Sequence, residues 1–280
     1  MSKRKNRKVK DKHNVETGFS EEGLPFARIG DKEDFIVEIE ALSFKNEPPS
    51  GIRLKLFTGL AGLFTDKYTY YLVGRKQNVP EDFSFDDMAN DYAKMFRREF
   101  KKPIIIIGAS TGGQIAHYLA ADHPDIIQKL IIISAAYKVS KKGAEIESQV
   151  AEYFKQKKYG RAFAVLLDLI WTSGIKRSIA KFFTRTFGKF VMGKIEYPND
   201  LLTEIRGDIA MDFKERLKEI QAPTLILSGE SDIEYTADLV RETAEGIPNA
   251  RLILYKGYGH NLMMRNRKQV QKDILEFLNN

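Results

Sequence analysis

Continuous apolar runs alternate with stretches of helical spacing along most of this chain. Seven runs have the length and composition of strands, at residues 23–30, 34–42, 68–74, 103–108, 130–134, 223–228 and 251–255. Helical spacing follows or precedes most of them, at residues 52–64, 84–100, 111–122, 234–245 and 266–278. Strands that are apolar throughout are typical of a parallel sheet covered on both faces. The pattern therefore predicts an α/β fold with a mostly parallel sheet of about seven strands between two layers of helices.

The alternation stops between about Tyr137 and Leu217, where the pattern is helical only. Ser148–Trp171 predicts one or two helices, and Gly174–Met192 predicts another. An all-helical insertion between two strands of a parallel sheet lies beside the carboxyl ends of the strands, where such sheets bind ligands. We predict a core formed by residues 23–136 and 218–280, a helical lid at 137–217, and a basic, disordered tail at 1–22.

The fourth run ends in Gly108-Ala109-Ser110-Thr111-Gly112, and a helix pattern begins at once. A serine at a sharp turn between a strand and a helix holds its hydroxyl above the end of the sheet, as a nucleophile requires. The flanking glycines leave room for the chain to reverse. A G-x-S-x-G match by itself is weak, but its position between a strand and a helix favours the nucleophile interpretation.

A serine nucleophile needs a base, and the base needs an orienting carboxylate. Of the four histidines, His13 lies in the tail, and we interpret His117 and His123 as structural or surface residues. His260 remains, in a glycine-rich loop after the last strand. Asp232 follows the preceding strand and is the candidate acid; Glu230 and Glu234 are alternatives that the sequence leaves open.

Three segments, IIIIGASTGG, PTLILSGESD and GYGHNL, occur in this order, each at the end of a strand. In this the chain resembles the α/β-hydrolase-fold serine hydrolases, an esterase- and lipase-like family with a helical cap. The resemblance covers residues 24–280. It implies a triad of Ser110, His260 and Asp232, an oxyanion hole formed by the backbone N–H groups of Thr111 and Phe44, and no metal or organic cofactor. Many members carry His-Gly where this chain has Leu42-Ser43-Phe44-Lys45, so the Phe44 donor departs from the family pattern.

The family resemblance implies cleavage of carboxylic esters with small or lipid-like acyl groups through an acyl-enzyme. Aminopeptidase, thioesterase and C–C bond hydrolase activities use the same triad and stay open, as does a binding protein without catalysis. A stripe on the predicted lid helix could pack inward or line an acyl groove; its members are Ile175, Ile179, Phe182, Phe183, Phe187 and Phe190.

Charge and composition limit the partners. The formal net charge is +7, but residues 1–13 hold seven Lys/Arg and one Asp, and residues 138–200 hold thirteen Lys/Arg and six Asp/Glu. These two basic segments could contact an anionic membrane weakly; no specific nucleic-acid partner is expected. The absence of cysteine excludes a disulfide framework and a thiolate nucleophile. With no secretory signal pattern or spanning segment, we expect a cytoplasmic enzyme that acts on a small-molecule ester.

Overall fold

A nine-stranded sheet forms the centre of the molecule. The computed structural model describes residues 7–9, 15–171 and 174–279, and of these it leaves the side chains of 7–9, 176 and 187–192 undescribed. The strand order is β1-β2-β3-β5-β4-β6-β7-β8-β9, antiparallel from β1 to β5 and parallel from β5 to β9. The strands are β1 (Arg7–Val9), β2 (Val15–Phe19), β3 (Pro25–Ile29), β4 (Phe35–Ile39), β5 (Thr69–Val73), β6 (Ile104–Ala109), β7 (Ile127–Ile133), β8 (Thr224–Gly229) and β9 (Ala250–Tyr255).

All seven predicted strands are present, and the N-terminal segment adds two more. Residues 15–19 pair antiparallel with β3, so the prediction of a disordered tail through residue 22 is wrong for residues 15–22. Val15 and Thr17 point into the protein while Glu16 is partly exposed, which is the alternation of a half-buried strand. Residues 1–6 and 10–14, with His13, lie outside the described residues.

Helices cover both faces of the sheet because its strands are apolar on both faces. On β6, Ile104 and Ile106 join the cluster under one helical layer, whereas Ile105 and Ile107 join the cluster under the other. The core helices are α1 (Gly51–Ala61), α2 (Phe85–Glu99), α3 (Thr111–Asp122), α8 (Ala237–Gly246), α9 (Leu262–Arg265) and α10 (Arg267–Asn279). Ser84 caps α2 in a reciprocal pair with Asp87.

In the described residues, four α-helices lie between β7 and β8, where the sequence predicts the lid. They are α4 (Lys141–Lys155), α5 (Tyr159–Ile170), α6 (Ile175–Met192) and α7 (Pro198–Ala210). They share a small core of their own, formed mainly by apolar residues of α4, α5 and α7. None of the helices in the described ranges has the length and apolar content needed to cross a membrane.

Candidate active site

Ser110 occupies a strained turn between β6 and α3. Its backbone angles are φ 52° and ψ −129°, which a residue with a side chain rarely adopts. The turn is held because Ser110 N–H donates to the Ile133 carbonyl at 3.0 Å and Gly113 N–H donates to the Ser110 carbonyl at 2.7 Å. A strained residue that the surrounding structure holds in place is typical of functional sites.

The glycines around Ser110 are required by close packing. A Cβ atom on Gly108 would lie 2.7 Å from the Gly113 Cα, and one on Gly113 would lie 2.6 Å from the Ala135 Cβ. A Cβ atom on Gly112 would collide with the carbonyl oxygens of Ile39 and Glu40 at the end of β4. The segment after β4 is therefore held directly beside the serine turn.

The loops after β8 and β9 bring a carboxylate and an imidazole together. His260 Nδ1 lies 2.9 Å from Asp232 Oδ2, and Asp232 Oδ1 accepts hydrogen bonds from the N–H groups of Glu234 and Tyr235. Asp232 is buried. The structure thus pairs the acid and the base that the sequence singles out, whereas Glu230 is exposed.

A second carboxylate faces the other ring nitrogen. Glu234 Oε2 lies 3.1 Å from His260 Nε2, the atom that would accept the serine proton. Burial disfavours the imidazolium, but the carboxylates of Asp232 and Glu234 more than offset it and raise the pKa of His260 to about 9. Burial also raises the pKa of Glu234 to about 7, although His260 opposes that shift. Among the described contacts, Ser110 Oγ has no hydrogen bond to His260.

Ser110 and His260 open into one cavity of about 150 Å³ beneath the lid. Its walls are largely apolar, with two carboxyl groups; the lining residues are Ala41, Leu42, Ser110, Thr111, Glu147, Leu166, Leu169, Ile170, Glu234 and His260. A larger cavity of about 490 Å³ lies between α4 and α7. Two of the three triad candidates, Ser110 and His260, line the smaller cavity, and none of the three lines the larger one.

Buried acids surround the serine on the lid side. Glu147 of α4 is 1% exposed, and Asp208 of α7 is fully buried and accepts a 2.6 Å hydrogen bond from Thr111 Oγ1. Burial, together with the neighbouring carboxylates, raises the pKa of Glu147 and that of Asp208 well above their usual range. Sequence reasoning missed both residues, although both fall on the buried faces of their helices.

Phe44 does not line the cavity, although the sequence analysis assigned its N–H as an oxyanion donor. Its ring packs against Phe154 and Phe163 in the lid core, with centroids 5.8 and 5.5 Å apart. Ala41 and Leu42 line the cavity instead, because the chain after β4 reaches the serine turn two residues earlier than the sequence interpretation assumed. In the described structure, neither the Leu42 N–H nor the Thr111 N–H donates a hydrogen bond within the protein.

A buried arginine fixes this segment. Arg75, just after β5, is 2% exposed and donates to the carbonyl oxygens of Glu40 and Ala41, the latter at 2.9 Å. The same guanidinium lies 2.5 Å from Glu204 Oε2 of α7. One side chain therefore joins a lid helix to the residues that precede Leu42.

The other described histidines do not take part. His117 is buried on α3 with Nδ1 2.7 Å from the Gly113 carbonyl oxygen, and burial lowers the pKa of His117 to about 4. His123 contacts Arg97 and Asn90 on the surface.

The lid stripe neither packs inward nor lines the cavity in its described part. Ile175, Ile179, Phe182 and Phe183 of α6 are 79%, 63%, 70% and 54% exposed. The side chains of Phe187 and Phe190 lie outside the described residues. Leucine and isoleucine residues of α5, which the sequence interpretation did not select, form the apolar wall.

Comparison with known proteins supports the same fold. Residues 65–266 match the model of the family described as alpha/beta hydrolase fold. A protein named as a carbamate hydrolase, RutD of Serratia proteamaculans (strain 568), is 23% identical over 72% of this chain and 76% of its own length. The bifunctional esterase/perhydrolase DCH of Acinetobacter calcoaceticus is 25% identical over 73% of this chain and 78% of its own.

A solved structure agrees over nearly the full length. MGS-M2, an alpha/beta hydrolase enzyme from a Medee basin deep-sea metagenome library, superposes with a TM-score of 0.77 at 16% identity, covering 94% of this chain and 95% of that one. The family match spans most of the chain and includes Ser110, Asp232 and His260. The chain belongs to the α/β hydrolase fold family and is an enzyme of that family.

Proposed function

We propose that this protein is a serine hydrolase that cleaves carboxylic esters through an acyl-enzyme. One observation carries the proposal: Ser110, on its strained turn, shares a cavity with His260, whose Nδ1 lies 2.9 Å from Asp232. A hydroxyl, an imidazole and a carboxylate in this relation are the parts of a catalytic triad.

Each group has a defined role in the proposed reaction. Ser110 Oγ attacks the acyl carbonyl and gives its proton to His260 Nε2, while Asp232 holds the imidazole and stabilises its charge. The imidazolium then returns the proton to the departing alcohol. A water molecule, deprotonated by the same imidazole, attacks the acyl-enzyme, and the product acid leaves as Ser110 recovers its proton.

The free N–H groups of Thr111 and Leu42 are the proposed oxyanion donors. Both residues line the cavity, and neither N–H has a partner among the described protein groups. Losing one such donor lowers the rate of studied hydrolases by about 10²–10³. We propose Leu42 in place of Phe44 because Leu42 lines the cavity and Phe44 does not.

The size and lining of the cavity favour a small acyl group. About 150 Å³ beneath α5 accommodates only a short chain, and the described stripe of α6 does not extend the cavity. Of the acyl groups that the sequence interpretation allowed, the small ones therefore fit this geometry better than the lipid-like ones.

The free protein holds His260 in a contact that opposes the proposed reaction. Glu234 Oε2 lies 3.1 Å from His260 Nε2, the nitrogen that Ser110 needs. Catalysis requires this contact to break or to rearrange when substrate binds.

Hydrolysis of p-nitrophenyl esters from acetate to dodecanoate tests the proposal. We expect activity on acetate to butyrate that falls with longer chains, and a loss of about 10³-fold or more in kcat for Ser110→Ala and for His260→Ala. Ser178→Ala, an exposed serine of α6, is the matched control and should act as wild type. Equal activity in wild type and Ser110→Ala, or none in either, would remove the proposal that Ser110 is the nucleophile of an esterase.

A further inference from the structure

The cavity beside Ser110 combines apolar walls with two buried carboxyl groups, one from the lid and one from the core. Glu147 reaches it from α4 and Glu234 from the loop after β8, and they are 1% and 2% exposed. Glu147 Oε2 is fully buried, and the described structure gives it no donor apart from protons shared with the neighbouring carboxyl groups of Glu234 and Asp208. Asp208 lies next to this pair, and its carboxyl oxygen Oδ1 is also buried without a donor among the described groups.

Cations of the protein do not balance these acids. His260 and Arg75 are the described cations that act on the cluster, and Arg75 is already paired with Glu204. His260 also faces Asp232, so the carboxyl groups of Asp232, Glu234 and Asp208 all act on one imidazole. Burying a carboxylate without a counter-charge is costly, and the free protein reduces the cost by retaining protons in the cluster.

A neutral ester has no N–H or O–H group to donate to Glu147 Oε2, and an acidic acyl group would be repelled by the carboxylates. An ammonium group supplies both a positive charge and three donors. On the assumption that the proposed function holds, we propose that the preferred substrates are esters whose short acyl group carries a protonated amine, which Glu147 and Glu234 bind next to the scissile carbonyl.

This arrangement also connects recognition to catalysis. Glu234 is the group that contacts His260 Nε2 in the free protein. When Glu234 turns its charge to the substrate ammonium, the imidazole retains Asp232 alone and Nε2 becomes available to Ser110. A neutral ester offers Glu234 no alternative partner and leaves the contact in place.

Two pairs of esters test the proposal, each differing in one group. Benzyl β-alaninate and benzyl butyrate have the same length, with an ammonium group in one where the other has a methyl group; benzyl glycinate and benzyl propionate form the second pair. At neutral pH we expect kcat/KM to be about tenfold or more higher for the ammonium member of at least one pair, as a charged hydrogen bond implies. Glu147→Gln should lower kcat/KM for that ammonium ester at least tenfold more than for its neutral counterpart.

Glu145→Gln is the matched control, because Glu145 is exposed two residues away on the same helix and pairs with Lys142. It should leave the ratio of the two rates as in wild type. Equal or higher rates on the neutral esters, or a ratio that Glu147→Gln does not change, would overturn the inference.

Binding to Ser110→Ala separates this inference from the proposed function. Titration of this variant with the same four esters should show tighter binding of the preferred ammonium ester. Selective binding without hydrolysis in wild type would sustain the ammonium site and overturn the serine hydrolase. Hydrolysis of benzyl butyrate, with no preference for ammonium esters in rate or in binding, would sustain the serine hydrolase and overturn the ammonium site.

Discussion

His260 has a carboxylate against each of its ring nitrogens, and this determines how the site responds to pH. Asp232 lies 2.9 Å from Nδ1 and Glu234 lies 3.1 Å from Nε2. Between pH 7 and 9 the imidazole is protonated and Glu234 is ionised, since the pKa of His260 is raised to about 9 and that of Glu234 to about 7. Only the neutral imidazole can take the serine proton.

For a neutral ester, kcat/KM should therefore rise with pH up to about 9, the raised pKa of His260. Glu234→Gln removes one of the two carboxylates that favour the imidazolium, so the rising limb should move to lower pH. The measurement is the pH profile of p-nitrophenyl acetate hydrolysis. Glu230→Gln, an exposed neighbour, should keep the wild-type profile. A Glu234→Gln profile that coincides with wild type would show that Glu234 does not act on His260.

Sequence reasoning works well at the residue scale where a side chain follows a strand. Ser110, Asp232 and His260 each lie in the segment that follows the carboxyl end of a parallel strand, so their convergence follows from topology. Glu147 was missed because its position depends on how α4 docks over the sheet. Its placement among Ile146, Val150 and Phe154 on the buried face was the available signal.

At the scale of elements, a buried ion pair is one of the contacts that join α7 to the core. Arg75 bonds Glu204 of α7 and the carbonyls of Glu40 and Ala41, and Asn46 donates to Glu204 at 3.1 Å. Both side chains of the pair are buried, and the pair holds the segment before Leu42 in place. Removing one partner of a buried pair costs about 3–5 kcal/mol, because the other charge stays unpaired.

Arg75→Leu should lower the free energy of unfolding by about 3–5 kcal/mol, measured by urea denaturation. Arg75→Lys keeps the charge but not the two-pronged geometry. We expect it to retain most of the stability and to lower kcat several-fold with little change in KM, because the Leu42 N–H would no longer be held in place. Arg206→Lys, an exposed arginine of α7, is the control. An unchanged kcat in a folded Arg75→Lys protein would show that the geometry of this ion pair does not affect catalysis.

The elements of the core were predictable because their periodicity is local. The strand at residues 15–19 was not, since the basic residues before it suggested a continuous disordered segment. Helix α7 was not predicted as a separate helix either, because the charged residues Glu204 and Asp208 interrupt its apolar face. These charged side chains are buried because they contact residues of other elements, and the local periodicity of the sequence does not show such contacts.

For the whole molecule, the exposed apolar side chains of α6 and the basic charge of the lid favour contact with an anionic bilayer. Ile175, Ile179, Phe182 and Phe183 are exposed on a helix that carries basic but no acidic residues. Apolar side chains beside basic ones are typical of helices that lie on a membrane surface. We propose a weak, salt-dependent membrane contact through this helix.

Sedimentation with vesicles measures that contact. The protein should bind vesicles that contain phosphatidylglycerol more than vesicles of phosphatidylcholine alone, and 0.5 M salt should weaken the binding. Replacing Ile179 and Phe182 by serine should lower the bound fraction. The matched control replaces Ile52 and Leu56 of α1, which are 79% and 60% exposed, by serine. An equal loss in both double variants, or no loss in either, would contradict a contact through α6.

The central claim is that Ser110 is a nucleophile activated by His260, and covalent labelling tests it most directly. Wild-type protein treated with a fluorophosphonate and analysed by intact mass and peptide mapping should carry one adduct, on Ser110. Ser110→Ala should carry none. An unlabelled wild type, or equal labelling of both proteins, would contradict the claim.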